Sequence, residues 1–119
     1  MEYTKYVIVT VVFLAVAAAY LYFNSVDYSQ FGQCLSAKGV KFYGAFWCPH
    51  CADQKAILGS ALKNVTYVEC STPDGKVKLQ VCKDAGVKSY PTWEFEDGTM
   101  EIGVFSLEEL SAKSGCALK

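Results

Sequence analysis

The chain has 119 residues, 52% of them hydrophobic, with a formal net charge of -1 and acidic and basic residues interspersed. That length leaves room for one small domain beyond an atypical N-terminus, and the balanced charge provides no basic stripe to follow a phosphate backbone, which argues against a nucleic-acid partner. Six cysteines in so short a chain favour pairing in an oxidising compartment over free cytosolic thiols.

The first element is YVIVTVVFLAVAAAYLYF, Tyr6 to Phe23, eighteen residues without a charge. As a helix it would span roughly 27 Å, just enough to cross a bilayer. Lys5 precedes the run and no Lys or Arg follows it until Lys38, so the positive-inside rule places the remainder outside the cytoplasm, in the periplasmic or extracellular space. A cleaved signal peptide is the competing reading, because the alanines from Ala15 to Ala19 resemble small-residue cleavage sites. The apolar run continues past them through Tyr20, Leu21, Tyr22 and Phe23, with tyrosines at both ends, which favours an uncleaved single-pass anchor. Residues 1–27 therefore read as anchor and linker, and 28–119 as the domain; cleavage would make the domain secreted.

After the polar linker a helix is predicted from about Tyr28 to Ala37, stopped by Gly39. VKFYGAFW, Val40 to Trp47, reads as a buried strand. Pro49 suits the first turn of the next helix, whose apolar face is Ile57, Leu58, Ala61 and Leu62. NVTYVEC gives a second strand, STPDG a turn, and KVKLQVCKDAG a helix from about Lys76 to Ala85 with Gly86 at its C-cap. TWEFEDGTMEIGVF reads as a hairpin turning at Asp97-Gly98, with apolar Trp93, Phe95, Met100, Ile102 and Val104. Ser106 and Glu109 form a capping box and Phe105 a staple onto Leu110, opening a last helix that stops near Gly115. With helices between the first strands and a hairpin near the end, right-handed crossovers give an α/β domain: a mixed central sheet with helices on both faces.

The chemistry concentrates in Trp47-Cys48-Pro49-His50-Cys51. A thiolate at a helix N-terminus meets unpaired backbone N–H groups and the positive end of the helix dipole, so Cys48 is the expected nucleophile. Cys51, one turn into the helix, is the expected resolving cysteine. His50 is the only histidine; the ordinary reading of a lone histidine is an exposed or packed side chain, but its place between the cysteines points to tuning of the thiolate rather than general-base work. A zinc site built from Cys48, Cys51, Cys70 and Cys82 has only one knuckle, and its second pair lacks the close spacing of structural sites. No metal or cofactor is expected. Asn64-Val65-Thr66 fits a glycosylation pattern but falls at a predicted strand start and reads as chance.

A strand ending in Trp-Cys-x-x-Cys at a helix N-terminus, with a later strand opening on Tyr90-Pro91-Thr92, resembles the thioredoxin fold of oxidoreductases. FYGAFWCPHC, VEC, a cysteine in the following helix, YPTWEF, GVFSLEEL and SGC together resemble, more narrowly, the thioredoxin-like domain that accompanies bacterial homologues of vitamin K epoxide reductase. That resemblance implies a cis peptide between Tyr90 and Pro91 beside the cysteines, where backbone is exposed to a substrate strand. It also implies a disulfide between Cys70 and Cys82. Cys34 and Cys116 are then left over, to pair with each other or to stay free or intermolecular. Trp47 and Tyr90 are expected as rim residues in contact with substrate.

The Pro-His dipeptide is also that of the oxidising protein DsbA, whose active cysteine has a pKa of about 3.5 against about 7 in thioredoxin. Their potentials, about -120 and about -270 mV, differ by roughly 7 kcal/mol of drive toward oxidising a substrate. Thioredoxin resemblance would place a buried acid six residues before Cys48, where this chain has Phe42. In the resembled family the domain is commonly fused to a quinone-reducing membrane protein; here one membrane helix is expected, so the reading is a separate anchored domain. It would oxidise thiols of exported proteins and be reoxidised by a vitamin K epoxide reductase-like membrane partner. The alternatives are an exported reductase or isomerase, and a non-catalytic thioredoxin-like binding module.

Overall fold

The computed structural model describes residues 1–118. Helix α1 spans Glu2–Phe23, is long and apolar enough to cross a membrane, with a mean hydropathy of 2.3, and buries none of its residues. The helix begins before the apolar run, taking in Glu2 and Lys5.

Beyond it lie α2 (Ser29–Ala37), β1 (Lys41–Gly44), α3 (Pro49–Leu58), a 3₁₀ segment (Gly59–Asn64), β2 (Thr66–Glu69), α4 (Gln80–Ala85), β3 (Thr92–Glu94), β4 (Met100–Ile102) and α5 (Leu107–Ser114). The four strands form one mixed sheet in the order β2-β1-β3-β4. β1 runs parallel to β2 and antiparallel to β3, which pairs antiparallel with β4. Parallel β1 and β2 need the crossover that α3 supplies, and the hairpin turns at Asp97-Gly98, where Gly98 has φ of +85° and Asp97 accepts a hydrogen bond from the Thr99 amide at 2.9 Å.

Alternation along the strands divides the interior. Phe42 and its register partners Tyr67 and Trp93 point to the larger core, with Phe31 and Leu35 of α2, Leu58 of α3 and Leu110 of α5. Tyr43 faces the other way, into a smaller cluster with Cys70, Cys82 of α4 and Val87. Helices thus flank both faces, as the thioredoxin-like α/β fold requires, but unequally. The outer strand shows the consequence: Ile102, expected on an apolar face, is exposed.

Three elements differ from their sequence-based bounds. The strand expected through Trp47 ends at Gly44, because the Cys48 amide donates to the Ala45 carbonyl at 3.0 Å and folds Phe46 and Trp47 into a turn. The helix carrying Ala61 and Leu62 breaks at Gly59, which has φ of +52°, and continues as the 3₁₀ segment. The helix expected from Lys76 starts only at Gln80. Residues 71–79 instead close on themselves: the Leu79 amide donates to the Cys70 carbonyl at 2.8 Å and the Thr72 amide to the Val77 carbonyl at 3.0 Å, while Asp74 accepts from the Lys76 amide at 3.0 Å. Short polar side chains bonding to nearby backbone compete with a helical turn in this way.

At α5 the Ser106 hydroxyl accepts from the Glu109 amide at 3.1 Å, and Gly115 stops the helix in the left-handed region, φ +76°. α2 lies so close to the 3₁₀ segment that a Cβ on Gly32 would collide with the Ala61 carbonyl oxygen. Asn64 has its amide committed there, donating to the Ser29 carbonyl at 3.0 Å.

Candidate active site

β1 delivers the chain to the top of the sheet and α3 takes it down again, so the turn between them projects from the end of the central strand. Cys48 is the N-cap of α3 and Pro49 its first residue, a position where proline's missing N–H costs nothing. The Cys48 side chain is 8% exposed and Cys51 1%, so of the two sulfurs Cys48 has the readier access to a reactant. Both are thiols in this structure, whereas the other four cysteines are bonded in pairs, Cys70 to Cys82 and Cys34 to Cys116.

Around Cys48 the structure gathers a rim. Its thiol donates to the Tyr90 carbonyl across 3.8 Å, and the Tyr90-Pro91 peptide bond is cis. Pro91 itself is fully buried. Trp47 is 51% exposed and is fixed at both ends: its indole N–H donates to the Ser71 hydroxyl at 3.0 Å, and its ring meets Tyr90 edge-on at 6.0 Å. Phe46 is 54% exposed. An apolar, outward-facing rim around a reactive sulfur is suited to a client chain rather than a small polar molecule. His50 is exposed on the first turn of α3. A shallow cleft of about 140 Å³ between Trp47, Tyr90, Ser71 and Val77 opens beside the rim. A larger depression of about 370 Å³ lies between the hairpin and α5, with no cysteine in its lining.

Below Cys51 the environment changes. Burial pushes the Cys51 thiol up to about 11, while a hydrogen bond to the Ala45 backbone and, more weakly, the charge of Lys55 pull it down. Phe42 is fully buried, stacked on Trp93 at 4.9 Å and edge-on to Tyr67 at 5.0 Å. The Tyr67 phenol, held well above its ordinary value first by burial and then by Glu69, donates to Glu69 Oε1 at 3.0 Å. Glu69 Oε2 accepts from the amides of Phe46 and Ser71 at 3.2 and 3.0 Å. One carboxylate therefore ties β2 to both the cysteine turn and the 71–79 segment.

Gln54, three residues past Cys51, is fully buried and fully satisfied. Its amide donates to the Phe105 carbonyl at 3.0 Å, and its carbonyl accepts from the Trp93 indole at 3.1 Å and the Phe105 amide at 2.8 Å. It locks the cysteine helix to β3 and to the entry of α5. The sequence reading passed over Gln54, Lys55, Tyr67 and Glu69. Two local signals were present, Gln54 on the helical face of Leu58 and Lys55 four residues after Cys51; Tyr67 and Glu69 converge on the site through strand register, which a single sequence does not display.

No protein-family model matches the chain. The thiol-disulfide oxidoreductase LTO1 of Arabidopsis thaliana is 43% identical over 89 residues, covering 71% of this chain and 23% of that relative. The chain thus spans about a quarter of that relative's length. The crystal structure of thioredoxin O2 from Arabidopsis thaliana in its oxidised state matches with a TM-score of 0.39 and 20% identity, over 74% of this chain and 86% of that one.

Proposed function

We propose, from the premise that this chain is a thioredoxin-like domain related to the thiol-disulfide oxidoreductase LTO1, that it is a membrane-anchored oxidase of protein thiols. The observation that carries this reading is the partition of the cysteines. Four of the six are committed to bonds, and the remaining two share the start of α3 beneath an exposed aromatic rim.

In its oxidised form the Cys48-Cys51 disulfide is attacked at Cys48 by a client thiolate, giving a mixed disulfide and releasing Cys51. A second client thiolate attacks the client sulfur of that mixed disulfide and releases Cys48. The client leaves with a disulfide, and the pair keeps two electrons. Pro49 and His50 in the loop and Phe42 in place of a buried acid favour donation of disulfides over reduction. The two electrons pass to a quinone-reducing membrane partner of the vitamin K epoxide reductase type. The single lysine before the apolar run of α1 and the short linker from Asn24 support an extracytoplasmic domain held close to that partner.

The test is the reduction potential of the Cys48-Cys51 pair, measured on the full chain in detergent by equilibration with glutathione, with a Cys48→Ser control. Oxidation of a reduced unfolded client is assayed alongside. A potential of about -120 to -180 mV, with stoichiometric client oxidation, is expected. A potential near about -270 mV would make the protein a reductase.

A further inference from the structure

Opening the Cys48-Cys51 bond leaves an electron pair on Cys51, the less solvated of the two sulfurs. Water offers little help there, since Cys51 is 1% exposed, so the protein must supply the compensating charge. The titratable and charged groups facing Cys51 are Cys48 and Lys55 from α3, Tyr67 from β2 and Tyr90 ahead of β3, with Glu69 acting on the two tyrosines; β1 presents only Gly44, and the Ala45 backbone just after it hydrogen-bonds the sulfur. Lys55 is the sole cation in that set.

Lys55 lies four residues after Cys51, on the same face of α3. Its Nζ sits 4.2 Å from the centroid of the Tyr67 ring, and Tyr67 in turn borders Cys51. A Cβ placed on Gly44 would lie 3.0 Å from Cys51 Sγ, 3.0 Å from Tyr67 Cε2 and 3.3 Å from Tyr67 Oη. The sulfur and the phenol therefore converge on one small space that only glycine leaves open. Tyr67 is fixed by its hydrogen bond to Glu69 and its edge-on contact with Phe42. Glu69 spends its oxygens on Tyr67 and two backbone amides and, among the described residues, forms no ion pair with Lys55. Among the described residues the ammonium forms no ion pair, and it lies on the ring of the tyrosine that borders the sulfur.

We propose that Lys55, held on the face of Tyr67, stabilises the Cys51 thiolate as it leaves and re-enters the disulfide, with Tyr67 as its positioning residue. The proposal rests on the dithiol-disulfide reading of the site. In the step concerned, an incoming thiolate forms a bond to Cys48 Sγ and the Cys48-Cys51 bond breaks. Its electron pair goes to Cys51, and the resulting thiolate takes up the proton that the incoming thiol shed. In this step the attacking sulfur is oxidised and Cys51 reduced; the reagent's second thiolate then attacks the reagent sulfur of the mixed disulfide, releases Cys48 and completes reduction of the pair. A leaving thiolate stabilised by a nearby cation departs faster.

The test is stopped-flow reduction of the oxidised full chain in detergent by dithiothreitol, at about 1 M salt to screen any attraction between Lys55 and the attacking dithiothreitol thiolate, followed by tryptophan fluorescence. Lys55→Met is expected to slow reduction about tenfold, the factor that corresponds to roughly 1.4 kcal/mol; Lys55→Arg should restore it to within about twofold. Rescue by arginine, which restores the positive charge without the lysine's shape, is the readout that a merely structural role would not produce. The neutral-pH potential should stay unchanged in Lys55→Met, because the reduced form there carries Cys51 as a neutral thiol. Tyr67→Leu should slow reduction as Lys55→Met does, and Tyr67→Phe much less. Equal rates for Lys55→Met and wild type, or no rescue by arginine, would overturn the proposal. Failure of the parent reading shows separately, as a wild-type chain that dithiothreitol reduces but that oxidises no client protein.

Discussion

At the scale of single residues the site is a contrast between two sulfurs three positions apart. Cys48 caps α3 and keeps 8% exposure; Cys51 is packed beneath it against Gly44 and Tyr67. The contrast has a thermodynamic signature at Cys51. Its ordinary value is 9.0, and burial raises it to about 11 in the folded chain. Below pH 9 both folded and unfolded chains keep the proton, and its contribution to stability is fully present. Between 9 and 11 the unfolded chain sheds the proton while the folded chain holds it, so stability falls as pH rises through that window. In a Cys48→Ser background, the denaturation midpoint of the chain retaining Cys51 should therefore drop below that of the additional Cys51→Ser variant as the solution becomes alkaline. Midpoints that stay parallel would mean that Cys51 is solvated. The cysteines, His50 and Pro91 were legible as residues because they are adjacent in sequence or belong to a short motif. Tyr67 and Glu69 were not, since their place beside the cysteines depends on the parallel register of β1 with β2, and the i, i+4 spacing of Lys55 from Cys51 gains meaning only with Tyr67 in place.

Among the elements, α3 carries the site and its attachment decides how well the site is held. Amphipathic periodicity accounts for α3 packing on the sheet, but not for its angle or depth. Gln54 supplies that, through three hydrogen bonds to Trp93 and Phe105. Gln54→Leu keeps the volume and removes the partners, leaving an indole N–H and a backbone amide and carbonyl orphaned in the core. Urea unfolding should register a loss of roughly 3 kcal/mol, with reduction by dithiothreitol slowed as α3 loosens. An unchanged midpoint would show that water reaches these groups. The order of all the elements was readable from apolar runs, glycine stops and the Ser106 cap. Their bounds were less so, and for identifiable reasons. Glycine at 59 adopts a conformation that ends α3, and the side chains of Thr72 and Asp74 capture the backbone that a helix from Lys76 would have used.

Over the whole molecule the two disulfides brace different parts of the fold, and on the oxidase reading that difference separates stability from recognition. Cys34-Cys116 spans 82 residues and ties α2 to the end of the chain after α5, while Cys70-Cys82 spans 12 and ties β2 to α4. By loop-closure entropy the long bridge contributes about 4.5 kcal/mol and the short one about 3. The order reverses for function. The long bridge joins α2 to the chain after α5, neither of which carries Phe46, Trp47 or Tyr90, but the short bridge braces residues 71–79. There Ser71 holds the Trp47 indole, Gly75 packs against the same ring, and Lys78 donates to the Val87 carbonyl at 2.7 Å. Cys34→Ser with Cys116→Ser should therefore lower the denaturation midpoint more, yet leave client oxidation near wild type at a temperature where the chain stays folded. Cys70→Ser with Cys82→Ser should lower the midpoint less and slow client oxidation severalfold, with little change in reduction by dithiothreitol, because the small reagent needs Cys48 alone whereas a polypeptide needs the rim. Equal losses of client oxidation in both variants would remove the 71–79 segment from recognition and leave the Phe46 and Tyr90 side of the rim to carry it.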